Sequence, residues 1–280
     1  MALSIHTNYS ALTTNTALNK SNSALATNQQ RLGTGLRINS AADDAAGLQI
    51  ATRLNAQSRG MGVAMRNVGD SISLLQTAEG ALNEMTDIMQ RMKDLSTQAA
   101  NDTNSAEDRT AIQAEFTALS TEMANIFDNT TYAGEALFGA GKFGAGAVTF
   151  QIGASTAETL EVDVSAKTDA LDSLLGTDIT ALDITTQAGA NTAIDTLAGA
   201  LDSIGSLRAD FGANINRLNH TSNNLANMKD NTEMAKGRIM DADFAMESAN
   251  MSKNSMLMQS GISMLKQAGQ MPGMVMSLLG

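Results

Sequence analysis

No cysteine occurs in the 280 residues, which excludes disulfides, thiol catalysis and zinc–thiolate sites together. A chain of this kind can cross redox compartments without thiol chemistry. Tryptophan is absent too, and aromatic residues make up only 3% of the sequence, so a single thick globular core is excluded. The one proline, Pro272, leaves helices almost nowhere to break. Histidine is nearly missing: His6 and His220 stand far apart, and the residues after His220 read TSNN, so the HExxH pattern of a helical zinc peptidase is not there. No nucleophile or acid–base constellation takes its place, because the carboxylates sit at the spacings of solvated helix faces. This reads as a non-enzyme, with no catalytic residue, cofactor or metal. No run is long and apolar enough to cross a membrane, and the N-terminus lacks the basic patch and apolar core of a general secretory signal. The chain either stays inside the cell or leaves by a route that reads no cleaved peptide of that kind.

What is present is charge of uneven distribution and long periodic stretches. The formal charge is −11, yet residues 1–42 carry Lys20, Arg31 and Arg37 and no acid at all. Residues 241–280 carry Asp241, Asp243 and Glu247 against Lys253 and Lys266. The acid therefore sits in the middle, which suits solvent, while the nearly uncharged ends suit burial against partners. No basic surface suggests nucleic acid.

The stretch RINSAADDAAGLQIA, residues 37–51, separates these regimes. Ser40 and Asp43 stand at the spacing of a capping pair, and Asp43 with Asp44 places negative charge in what the pattern predicts as a first helical turn. Before it, Ala11, Leu18, Leu25 and Leu32 recur every seven residues, with Ala17 and Ala24 beside them, on a background of Ser, Thr and Asn. A stripe so narrow cannot hold an isolated helix in water and calls for a partner.

After it, Leu54, Met61, Val68, Leu75, Leu82 and Met89 repeat by sevens, joined by Ala64, Ala78, Met85, Met92 and Ala99. A seam of six heptads predicts a coiled coil or long bundle helix from about Ser40 to Ala100, roughly 90 Å at about 1.5 Å per residue. Its methionines are packing residues, since no harder or thiolate ligands surround them. NDTN at 101–104 interrupts the pattern, and Ser105 with Asp108 restarts it. Ile112, Leu119 and Ile126, with Phe116 and Met123, predict a second helix folded back antiparallel.

From Thr130 to about Thr185 the texture turns to Gly, Ala and Thr. Val148, Phe150 and Ile152, then Leu160, Val162 and Val164, alternate with polar or small residues and predict two paired strands, the one β signal in the chain. GAGKFGAG at 139–146 lacks the GK[ST] ending and strand-to-helix setting of a phosphate loop and reads as a flexible connection. From about Asn191 a second seam follows: Leu197, Ile204, Phe211, Leu218 and Leu225, flanked by Ile194, Leu201, Ile215, Met228 and Ala235. Gly199, Gly205 and Gly212 within it are tolerated costs or points of close helix approach. A last stripe, Phe244, Met251, Met258 and Leu265, with Leu257, Met264 and Met271 adjacent, ends at Pro272 and Gly273. The layout is nearly symmetrical, and each terminal stripe finds its obvious partner in the other end. Such a two-helix pair still exposes apolar outer faces, which points to neighbouring copies of the same chain.

QRLGTGLRINSAADDAAGLQIA at 30–51 resembles the N-terminal signature of bacterial flagellins. QRMKDLSTQAANDTNS at 90–105, KGRIMDADFAMESANMSK at 236–253 and LKQAGQMPGMVMSLL at 265–279 are similar to the family's further blocks, in order. The resemblance implies a mainly α fold, a long antiparallel helical coiled-coil bundle with a small β-hairpin region mid-chain. The corresponding divisions are terminal inner-core segments 1–36 and 245–280, a long-helix bundle of 37–142 and 186–244, and a short hairpin region, 143–185, within it. It implies a subunit that self-assembles into an extracellular flagellar filament, exported unfolded through the flagellar type III apparatus, with termini disordered in the monomer and ordered on assembly. Export chaperone, filament cap and hook-junction proteins are the implied partners beside other flagellin subunits, without membrane insertion. The assembly residues implied are Leu18, Leu25, Leu32, Arg37, Asn39, Asp43, Asp44, Arg238, Ile239, Asp241, Asp243, Met251, Met258 and Leu265. Arg91, Leu95, Gln98 and Glu115 fall on the motif read by the vertebrate Toll-like receptor for flagellin. Residues 30–51 align with the epitope of the plant receptor, with Asp43 matching and Gly33, Leu36 and Ala42 departing from it. A hook–filament junction adaptor is the alternative reading.

Overall fold

The computed structural model describes the backbone of residues 7–279 and side chains as far as residue 270. His6 and the side chain of Met271 lie outside the described residues. Six helices carry the fold: α1 (Tyr9–Thr34), α2 (Ala45–Ala99), α3 (Ala106–Asn129), α4 (Ser165–Ser173), α5 (Gln187–Met240) and α6 (Phe244–Leu279). Two antiparallel hairpins sit between α3 and α4: β1 (Thr131–Tyr132) with β2 (Glu135–Ala136), and β3 (Val148–Gln151) with β4 (Thr159–Val162). The fold is mainly α with a small β region. The chain divides into two compact units, Arg59–Asp230 and the remainder.

In the Arg59–Asp230 unit the two long seams meet. Met61, Val68, Leu75, Leu82 and Met89 of α2 and Leu197, Ile204, Phe211 and Leu218 of α5 are almost wholly buried in one continuous core. The α2 and α5 helices run antiparallel, with Arg208 reaching Glu79 at 3.6 Å. Unbranched Met85, Met89 and Met92 are fully buried in that core, where their flexible side chains suit irregular gaps. Buried Ser71 and Ser96 return their hydroxyl protons to the carbonyls of Asn67 and Met92, four residues back, so neither is left unsatisfied.

α3 begins with a complete capping box between Ser105 and Asp108. Arg109 then donates to the Ala99 and Asn101 carbonyls at 2.8 and 3.1 Å, closing the C-terminus of α2. Its buried face is Ile112, Phe116, Ser120, Met123 and Phe127; Leu119 and Ile126 lie at its edge.

The middle of the chain differs from the sequence expectation in three ways. A second, shorter hairpin exists, because Ala133 and Gly134 both take positive φ (52° and 85°) and make a two-residue primed turn. Residues 139–146 are an ordered knot rather than a flexible connection: Lys142 N–H donates to Ala136 O at 3.0 Å and Phe143 N–H to Leu137 O at 2.9 Å. Phe127, Phe138, Phe143 and Phe211 form a chain of ring contacts beneath it, with centroids 4.9 Å apart for the last pair. The chain can pack so tightly because Gly144 lacks a Cβ, which would meet the Gly139 carbonyl. Third, α4 and the π-helical turn Leu174–Ile179 bury Leu171, Leu175 and Ile179 in the same core. Their i, i+4, i+8 spacing was the helical signal within a stretch read as strand and loop.

Gly199, Gly205 and Gly212 meet nothing within 4 Å, so they are tolerated costs and not points of close approach. Gly199→Ala is therefore expected to stabilise the protein by about 0.5–1 kcal/mol. Phe143→Ala, by emptying the aromatic knot, should cost about 3–5 kcal/mol. Chemical denaturation of both variants checks the pair.

Candidate assembly interface

The unit built from residues up to Ser58 and from Asn231 holds α1, the start of α2, the end of α5 and α6. The terminal helices do pair, antiparallel. α1 presents Ala11, Leu18, Leu25 and Leu32, but between them on the same face stand Thr14, Ser21 and Asn28. α6 answers with Met251, Met258 and Leu265, alternating with Glu247, Asn254, Gly261 and Ala268. Every second seam position is thus polar or small. Among the described residues of these two helices only Asn28, Glu247 and Ala268 are buried, each keeping 7–8% exposure. The leucines and methionines of the stripe are half-covered, unlike those of the α2–α5 core.

Near one end of the seam lies a cluster of polar side chains. Arg31 Nη1 donates to Glu247 Oε1 at 3.0 Å. The hydrogen-bond network turns the Asn28 amide nitrogen toward Glu247 Oε2, at 3.1 Å, and lets its oxygen accept from Asn254 Nδ2 at 3.1 Å. Arg31 Nε is buried without a partner, so the cluster carries a desolvation cost. The sequence reading found the leucines but missed Asn28, Asn254 and Ala268; the seven-residue recurrence of Thr14, Ser21 and Asn28 was the available signal.

Two connectors brace one another below the pair. Gly35, in the left-handed region at φ 72°, ends α1 and donates to Arg31 O at 2.8 Å. Leu36 then bridges to Asp241, with Arg37 N–H on Met240 O at 2.6 Å and Ala242 N–H on Gly35 O at 2.9 Å. The Arg37 guanidinium donates to Ile239 O at 2.8 Å, and Asn39 Nδ2 to Leu36 O at 2.8 Å. Ile38 is buried beneath them at 2% exposure.

Ser40 and Asp43 do not start the helix. Asp43 Oδ2 accepts from the backbone amides of Asn39 and Ser40 and from the Ser40 hydroxyl, closing a turn over 40–43. The N-cap is Asp44, whose Oδ1 accepts from Gly47 N–H at 2.8 Å, so α2 opens at Ala45. Asp243 does the same for α6, accepting from Ala245 and Met246 amides at 3.0 and 3.1 Å. Nor does α6 end at Pro272: it runs to Leu279.

The other predicted residues divide cleanly. Arg37, Asn39, Asp43, Asp44, Ile239, Asp241 and Asp243 belong to the brace, and Arg238 is exposed. Leu18, Leu25, Leu32, Met251, Met258 and Leu265 are drawn into the seam within the chain. The outer faces instead expose Tyr9, Leu12, Phe244, Met246, Met256, Leu257, Ile262 and Met264, with Met256 66% exposed. Phe244, expected in the stripe, and Leu257 and Met264, expected beside it, are therefore exposed on the outer faces. In the other unit, Arg91 donates through Nε and Nη2 to Glu115 Oε1 at 3.0 and 2.6 Å. Both are exposed, as is Gln98, while Leu95 is core at 2% exposure.

No helix among the described residues is long and apolar enough to cross a membrane, and no described group of three or more His, Asp or Glu is placed to hold a metal.

The family model for the bacterial flagellin N-terminal helical region matches residues 5–142, and that for the C-terminal helical region matches residues 194–279. β3, β4 and α4 lie in the stretch between them. The chain is 36% identical to flagellin A of Vibrio anguillarum over 381 aligned positions, covering all of both chains. It is also 36% identical to polar flagellin C of Vibrio parahaemolyticus over 386 positions, again covering both fully. Those alignments exceed the 280 residues here, so the relatives carry inserted residues that this chain lacks. Among solved structures, Bacillus cereus flagellin is 32% identical with a TM-score of 0.49, covering 57% of this chain and 88% of that one. A Vibrio parahaemolyticus protein described as flagellar hook-associated shares the fold alone, at 14% identity and a TM-score of 0.56 over 71% of this chain and all of that one.

The Asp43 carboxyl is held below its ordinary value of 3.8, first by the Ser40 backbone amide and then by that of Asn39. A depressed folded pKa makes the turn's stabilisation complete above the unfolded value and lost as pH falls through the native one. The 39–40 amide resonances are expected to shift with a midpoint below 3.8, with Asp43→Ala removing the transition. A midpoint at or above 3.8 contradicts the assignment.

Proposed function

The chain belongs to the bacterial flagellin family, and from that premise we propose how its two ends build and hold a filament. It is a structural subunit that polymerises with other flagellin subunits into the extracellular helical filament of the flagellum. The hook–filament junction adaptor is the weaker reading, because full-length curated relatives at this identity are flagellins.

In the proposed mechanism α1 and α6, spanning most of segments 1–36 and 245–280, are disordered in the free subunit and fold when it joins the polymer. The long helices, within 37–142 and 186–244, form the surrounding shell, and residues 143–185 the thin outer surface. The observation that carries this is the outer face of the α1–α6 pair: eight large apolar residues stand exposed on two helices among whose described residues only three are buried. Such a surface is covered in an assembly or it aggregates. Ordering two helices costs conformational entropy that the half-wet seam does not offset alone, so folding and association become one event. The predicted assembly residues act in three ways. Leu18, Leu25, Leu32, Met251, Met258 and Leu265 hold the pair together. Arg37, Asn39, Asp43, Asp44, Ile239, Asp241 and Asp243 brace the two connectors against one another, and the exposed Arg238 is a candidate contact to neighbouring copies.

The same reading carries export unfolded through the flagellar type III apparatus, with an export chaperone shielding the apolar C-terminal stripe, and contacts to filament cap and hook-junction proteins at the polymer's ends. The role is mechanical, without catalysis. Toll-like receptor contact falls on the exposed Arg91, Gln98 and Glu115, with Leu95 supporting them from the core.

Leu257→Glu combined with Met264→Glu is expected to raise the critical concentration for polymerisation at least about tenfold, the effect of about 1.4 kcal/mol per subunit, while helical content in the Arg59–Asp230 unit is unchanged. Polymerisation at the unmodified concentration overturns the outer-face assignment. For the receptor, monomeric Arg91→Ala should activate more weakly than the parent; equal responses sink that contact.

A further inference from the structure

We propose that two polar clasps, one toward each end of the α1–α6 seam, set its antiparallel register, and that the first uses Asn8 to satisfy a carbonyl that Pro272 leaves without a donor. Pro272 lies inside α6. Having no N–H, it cannot donate to the carbonyl four residues back, which is that of Ala268. Asn8 Nδ2 donates to that carbonyl at 2.7 Å, across 260 residues of sequence. The other end of the same amide is used as well: Asn8 Oδ1 accepts from Ala11 N–H at 3.0 Å and caps α1. Serine or aspartate would serve the cap alone. Asparagine is the residue that caps one helix and repairs the other.

The second clasp is the Arg31, Asn28, Glu247 and Asn254 cluster described above. Between the two, Leu18 lies over Gly261, where an added Cβ would come within 3.2 Å of its Cδ1.

A register device is needed because the apolar half of the seam does not supply one. Leu18, Leu25 and Leu32 face Met251, Met258 and Leu265 with the same seven-residue repeat on both helices. A slip of one heptad, about 10 Å along the axis, superposes leucine on methionine again at little loss. The polar and small positions repeat in spacing but not in residue type. In a slipped pair Glu247 loses Arg31, the Ala268 carbonyl loses Asn8, and Leu18 no longer faces a glycine. Buried polar groups left unpaired are the known means by which coiled coils reject wrong registers. The unpartnered Arg31 Nε fits this: the cluster gives up some stability and keeps specificity. The inference rests on the α1–α6 pairing and uses the filament reading only for the sample in which it is tested.

The chain has no cysteine, so introduced pairs report alone. Leu18→Cys with Gly261→Cys reads the observed register, and Leu25→Cys with Gly261→Cys reads a one-heptad slip. Full-length chains are polymerised, oxidised mildly, and the intramolecular disulfide quantified on non-reducing gels; a variant that does not polymerise alone is incorporated as a minority component with unmodified chains. The in-register pair should exceed the slipped pair at least about tenfold, a bias of about 1.4 kcal/mol. Asn8→Ser, which keeps a cap oxygen but removes the donor, should reduce that bias several-fold. Pro272→Ala restores the N–H and should make Asn8→Ser silent. Asn28→Leu, at the other clasp, should raise the slipped fraction while leaving polymer thermally as stable or more so.

The coupling is decisive. If Asn8→Ser acts equally with Pro272 and with Pro272→Ala, or not at all, the proline-repair clasp is wrong. If neither Asn8→Ser nor Asn28→Leu admits slipped pairs, register is set by something else. Chains that form no polymer without either change speak instead against the filament reading.

Discussion

A pair of helices can bury only the faces it turns inward, and this chain is built around that constraint. α2 and α5 escape it, because α3, α4 and the hairpins close over them and their seam side chains reach zero exposure. α1 and α6 have only each other. With polar or small residues at every second seam position, they leave their largest apolar side chains pointing away from the contact. In the proposed account one chain therefore contains a unit that is finished by folding and a unit that is finished by other copies. Charge follows the same division: acid is concentrated on the part that meets solvent, and the ends are nearly neutral.

The brace between the connectors makes the division mechanical. Residues 35–44 and 241–243 are short, and each caps a helix with a carboxylate while donating or accepting main-chain bonds across to the other. Main-chain and side-chain hydrogen bonds therefore tie the two connectors to one another around buried Ile38.

Sequence periodicity reached the long-helix core almost residue by residue, because a sustained heptad leaves no other face for Met61, Val68, Leu75 and Leu82 to occupy. The paired strands at 148–151 and 159–162 and the pairing of the two ends were legible for the same reason. Three features were not. Ser40–Asp43 and Ser105–Asp108 have the same spacing, yet one closes a turn and the other caps a helix. Both serine hydroxyls donate to the aspartate, and only that of Ser105 also accepts the aspartate's backbone N–H, which spacing cannot encode. The Gly-rich stretch hid an aromatic knot, since Phe138 and Phe143 find Phe127 and Phe211 only in three dimensions. Pro272 reads as a helix stop along the sequence because its repair comes from Asn8. At the candidate interface, the apolar half of the seam was visible and the polar half was not: polar residues at heptad positions look like surface until their partners are in view.

The most direct test of the central claim is amide hydrogen exchange in α1 and α6, compared with the α2–α5 core, in purified subunit and in reassembled polymer. The account predicts that α1 and α6 exchange freely in the subunit and gain protection of several orders of magnitude on polymerisation, while the core is protected in both. Terminal helices already protected in a stable, unassociated subunit would contradict it, because the pair would then be complete without its neighbours.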